Sequence, residues 1–105
     1  MYYLFNERIY PVVIKFPKSE KFALSQDIKN CFLEYLTYVK RADEVKSMRL
    51  RYSQEAQAYL GKIKTLMSIA KSREYISIPF YESVSLELTE ISKMLKAYIR
   101  KINKK

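Results

Sequence analysis

Glu87 and Glu90 lie three residues apart and are the nearest this chain comes to a carboxylate pair for general acid–base work. Nothing near them in the sequence supplies a nucleophile or a metal-binding cluster, so they read as surface acids on the dipole-favoured half of a helix. The chain has no histidine, which removes the commonest general base, the usual triad base and the commonest metal ligand. It also excludes a helical nuclease of the type that uses an arginine followed closely by histidine. One cysteine, Cys31, and two aspartates, Asp27 and Asp43, leave little other reactive chemistry. The single glycine, Gly61, cannot build a Gly-rich phosphate loop. These absences point to a protein that is not an enzyme, with no cofactor and no metal.

Placement of positive charge is the signal that survives. The formal net charge is +9, from 20 Lys and Arg against 11 Asp and Glu, a balance that favours polyanionic partners. Tyr81, Leu88, Leu95 and Ile102 share one row of a helix, which puts Lys93, Lys96 and Arg100 on its opposite side at spacings of three and four. Lys64 and Lys71, seven apart, form an outward stripe on a second helix, flanked by Arg51, Lys62 and Arg73. From Glu44 to Ile76 bases outnumber acids by seven to three. Such stripes match regularly spaced phosphates and predict salt-dependent, weakly sequence-selective binding. The candidate nucleic-acid-binding residues are Arg51, Lys62, Lys64, Lys71, Arg73, Lys93, Lys96, Arg100 and Lys101. Of the ten tyrosines, Tyr35, Tyr38, Tyr52, Tyr59, Tyr81 and Tyr98 fall on apolar seams, which assigns them to packing rather than to base stacking.

The elements that must position these charges follow from apolar periodicity. The spacing predicts four antiparallel helices over residues 2–16, 19–42, 45–73 and 77–102, an all-α four-helix bundle in one domain, 1–105. In the first, Tyr2, Phe5, Ile9, Val12 or Val13, and Phe16 carry the period, and Pro11 kinks or shortens the helix. A short extended segment at Val12, Val13 and Ile14 is the alternative. Ser19 is the expected N-cap of the second helix, whose seam is Leu24, Ile28, Cys31, Tyr35, Tyr38 and Ala42. Phe32, Leu36 and Val39 widen that stripe, so more than one neighbour must cover it. Asp43 and Glu44 form a polar break.

The third helix carries Tyr52, Ala56, Tyr59, Ile63, Leu66 and Ala70, and a close helix crossing is the expected reason for Gly61 within it. The pattern lapses near Tyr75. Ser77 then caps the fourth helix, with Pro79 in its first turn and a full-length seam of Tyr81, Val84, Leu88, Ile91, Leu95, Tyr98 and Ile102. The acids Glu82, Glu87 and Glu90 come early in that helix and the bases, through Lys104 and Lys105, come late, as its dipole favours. Leu86 and Ile69 lie outside the seams and are expected to meet another subunit.

Composition sets the remaining bounds. Hydrophobic residues make up 49% and charged residues 30%, a globular balance. One Gly and three Pro favour a few long helices over many short strands. Cys31 sits on an apolar face and reads as a core thiol, in keeping with a reducing cytosol. No apolar run approaches the ~18 residues of a membrane span, and Asn6, Glu7 and Arg8 interrupt the stretch a signal peptide would use. The expectation is a cytoplasmic protein with no membrane partner.

The chain also resembles the Avd family, the accessory variability determinants of diversity-generating retroelements, whose near relatives are the intervening-sequence proteins of bacterial large ribosomal RNA genes. The matching residues are Phe16-Pro17-Lys18-Ser19-Glu20-Lys21-Phe22 with Leu24 and Ile28, then Tyr75-Ile76-Ser77 through Tyr81 to Glu90-Ile91-Ser92-Lys93-Met94-Leu95-Lys96 and Ile99. Leu66, Ile69, Ala70 and Lys71 support the middle. The relatives' Ser-Ile-Pro-Ser-Asn-Ile-Ala-Glu-Gly type motif is absent, which favours the Avd branch. Departures are Ala23 and Ser25 to Asp27, where a Gly is common, and Pro11 in the first helix.

The resemblance implies a non-enzymatic basic bundle that assembles into a homopentameric barrel. It also implies binding to nucleic acid, template RNA or complementary DNA, and to the reverse transcriptase in support of mutagenic retrohoming. The alternative from a different class is a structural interaction bundle that docks on an acidic protein.

Overall fold

The computed structural model describes residues 4–20 and 23–103. Within them the chain is an all-α bundle of three long helices and a short N-terminal one. Tyr2, Lys21, Phe22, Lys104 and Lys105, to which the sequence assigns roles, lie outside the described residues.

Leu4 and Ile9 are both buried although five residues apart. Leu4–Ile9 forms a π-helical turn, whose i→i+5 bonding brings residues at that interval to one side. The chain tightens into α1, Tyr10–Val13, with Pro11 in its first turn, where a missing N–H costs nothing. The Ile14 N–H donates to the Tyr10 carbonyl, so Val12, Val13 and Ile14 close a helix instead of forming the extended alternative. The helix is shorter than the predicted 2–16. Val13 and Phe16 still point inward.

α2 spans Leu24–Glu44. Ser19 does not cap it: Lys18–Glu20 is a separate 3-10 turn, and the residue preceding α2 is Ala23, which makes no side-chain cap. Ser25 is instead drawn inward, its Oγ donating to the Val13 carbonyl at 3.3 Å, which ties the start of α2 to α1. At the other end Asp43 and Glu44 remain helical, and the break falls at Val45, in extended conformation. Arg49 explains the extra turn, because its Nε donates to the Ala42 carbonyl at 3.1 Å and satisfies an acceptor that a helix end leaves open.

After a 3-10 turn at Lys46–Met48, α3 runs Arg49–Ser72. It packs against both α2 and α4, which makes it the central helix. Ala56, Leu60, Ile63 and Ala70 are fully buried along it. Gly61 overturns the close-crossing expectation: it is solvent-exposed, and a Cβ added there would meet nothing within 4 Å. Glu74, with φ 62, turns the chain in the left-handed region.

α4 then spans Ile78–Asn103. Ser77 caps it as expected, its Oγ accepting from the Phe80 N–H at 3.2 Å. Its seam is buried only in part. Val84, Leu88 and Ser92 are enclosed and Ile91 and Leu95 half-buried, but Tyr98 is 40% exposed. The N-terminal turn reaches the first half of α4 through Arg8, which pairs with Glu87 and donates to Ser83 Oγ at 2.7 Å. Val39 of α2, at 39% exposure, is uncovered like Tyr98.

Candidate nucleic-acid interface

The side chains that join α3 to α4 fix where the cations stand. Gln57 Nε2 donates to Ser92 Oγ at 2.7 Å, and Lys71 Nζ lies over the Tyr81 ring, 4.8 Å from its centroid. Gln57 and Lys71 are separated by four helical turns, so they belong to one row of α3, and Lys64 lies midway between them on that row. Lys64 therefore does not stand outward as its spacing predicts. It is half-buried along the α3–α4 groove.

On α4, Lys93, Lys96 and Arg100 are all exposed, as their spacing predicts. They lie about 80° or more around the helix from Ser83 and Glu87, which meet Arg8 of the N-terminal turn. They consequently share the groove side with Lys64 and Lys71. Because Tyr81 is level with Lys71, the line Lys71, Lys64, Lys93, Lys96, Arg100 extends about 28 Å along the bundle at 1.5 Å rise per residue. Glu82, exposed on the same side of α4, is the acid at the Lys71 end.

Arg51, Lys62 and Arg73 are placed elsewhere. They are eleven residues apart on α3 and so form a second row. The charge of Lys62 is felt at the Cys31 thiol of α2, which puts this row on the α2 side. Lys101 is exposed but about 100° around α4 from Arg100, off the line. Between the two rows of α3 run Ala58, Gly61, Thr65, Ser68 and Ser72, all exposed, small and uncharged. Its mark in the sequence is the lack of any charge at spacings of three and four in a strongly basic helix.

The aromatic residues are largely committed to packing. Tyr38 contacts Tyr52 and Tyr59 at centroid distances of 5.9 and 5.6 Å, and Tyr75 contacts Phe16 at 5.2 Å. Tyr35 is buried, and that burial raises its pKa above the ordinary 10.0. Cys31 is a core thiol, as expected. Its pKa is raised above 9.0 mainly by burial, with the Lys62 charge opposing. Leu86 is 63% exposed, whereas Ile69 packs on the core and offers less to a second subunit.

Among the described residues no group of His, Cys, Asp or Glu is arranged to hold a metal ion, and no helix is long and apolar enough to cross a membrane. Glu87 of the candidate carboxylate pair is occupied by Arg8. What the arrangement offers chemically is a linear set of fixed positive charges.

No curated protein and no solved structure matches the chain significantly. The family model described as bAvd-like matches residues 1–102, nearly the whole sequence, and this basic all-α bundle belongs to the bAvd-like family, the Avd-type accessory proteins.

Proposed function

We propose that this protein is a non-enzymatic accessory factor of a diversity-generating retroelement. It binds the phosphate backbone of template RNA or complementary DNA and delivers it to the reverse transcriptase in the cytoplasm. The observation that carries this reading is the line of Lys71, Lys64, Lys93, Lys96 and Arg100, contributed by two antiparallel helices. Backbone contacts of this kind give affinity and register without reading bases. The transcriptase partner rests on family membership.

The reading includes assembly into a homo-oligomer, with the pentamer of the family resemblance as the expected state. Val39, Met94 and Tyr98 remain 39%, 66% and 40% exposed. The accessible surface is 6972 Å², against about 6200 Å² for a compact monomer of this mass. Met94 and Tyr98 face away from the cationic line, so subunit packing there leaves the line open.

The test is charge reversal. Replacing Lys64, Lys71, Lys93, Lys96 and Arg100 by Glu is expected to abolish filter retention of RNA and DNA at physiological salt while far-ultraviolet circular dichroism stays unchanged. Retained affinity in that variant would sink the surface assignment, and no binding by the wild type would favour the acidic-protein alternative.

A further inference from the structure

We infer that the cationic line is a reader of duplex backbone and discriminates against single strands. This inference rests on the nucleic-acid reading above and adds the form of the ligand.

Proteins that hold single strands combine a basic groove with aromatic side chains on which successive bases stack. Here the most exposed of the described aromatic rings stand away from the line. Tyr98 is only two residues from Arg100, which places it about 200° around α4. The ring of Tyr81, the aromatic nearest the line, already lies under the Lys71 ammonium. Tyr10 on the N-terminal helix, with Tyr98 one of the two described tyrosines exposed to 40% or more, lies under Lys29. Among the described residues, bases splayed from a strand on the line would find no free ring as a platform.

The line suits a duplex for a second reason. It is straight, carried on helical backbone, and about 28 Å long, the rise of about eight base pairs. A duplex is stiff over ~150 base pairs and presents its phosphates already ordered. A single strand must be extended and immobilised over the same distance, an entropic cost that stacking normally offsets. The strip of Ala58, Gly61, Thr65 and Ser68 beside the line adds no acid to repel a second backbone.

The experiment is fluorescence anisotropy on the full chain with an unstructured mixed-sequence 12-nucleotide DNA strand and the corresponding 12-base-pair duplex. At 50 mM salt the duplex is expected to bind about tenfold tighter or more, since the strand lacks stacking contacts. Five phosphate contacts lose affinity with salt more steeply on a duplex than on a strand, so the preference should shrink about fourfold by 200 mM. Equal or tighter binding of the single strand would overturn the inference. Binding of neither probe would instead overturn the nucleic-acid reading on which it rests.

Discussion

Substituting Lys64 and Lys71 by glutamine separates the cationic line from mere net charge. Glutamine keeps most of the apolar stem of half-buried Lys64, and losing the Lys71–Tyr81 contact costs only about 0.5–1 kcal/mol at an exposed site. The variant should therefore fold. If all five cations of the line meet phosphates of a duplex, the slope of log K against log salt is about −4.5. That corresponds to a loss of about 500-fold between 50 and 200 mM salt.

Removing two contacts brings the slope to about −2.7 and the same salt step to about 40-fold. The comparison variant replaces Arg51 and Lys62 by glutamine, an equal loss of charge from the α2-side row, and its slope should stay near that of the wild type. Anisotropy titrations at four salt concentrations measure both. A slope that falls equally in the two variants would refute the argument, because net charge and not the line would then govern binding.

Gly61→Ala is expected to stabilise the protein by about 1 kcal/mol, since α3 loses its one poor helix former and the added Cβ meets nothing within 4 Å. A thermal melt should show a rise of about 4–8 °C, and a fall would mean that the site is crowded. Ser77→Ala removes the side-chain acceptor for the Phe80 N–H and should cost about 1 kcal/mol by denaturant titration.

Alkaline pH should destabilise the fold through Tyr35 and Cys31. Both hold their protons to higher pH when folded than their ordinary values of 10.0 and 9.0, because burial disfavours the charged forms. Their contribution is fully present below those values and is lost as pH rises through the folded ones. Stability measured by urea titration should therefore fall above about pH 9, and stability that rose there would contradict the burial. Cys31→Ser should leave the Tyr35 part of the loss.

Much of the bundle is legible in particular residues. Leu24, Ile28, Cys31 and Tyr35 are spaced so that only a helix buries them together, and they are buried. Ser77 followed by Pro79 marks a helix start through local hydrogen bonding, and it caps α4. Where a distant contact competes, local reasoning fails. Ser19 has the chemistry of a cap, but the link from Ser25 to the Val13 carbonyl accompanies a later start for α2. Asp43 and Glu44 look like a break, but Arg49 returns to the Ala42 carbonyl and the helix continues. Gly61 looks like a crossing point and faces open space.

By itself the sequence determined that the chain is helical, strongly basic and without histidine, and that Lys93, Lys96 and Arg100 share one exposed side, because periodicity and composition are properties of a single helix. Tertiary structure alone decided which cations lie together. Lys64 and Lys71 join the α4 stripe only because Gln57 meets Ser92 and Lys71 meets Tyr81. The row of Arg51, Lys62 and Arg73 turns toward α2 for the same reason: the azimuth of a helix is set by its neighbours, and no spacing within it records where they lie.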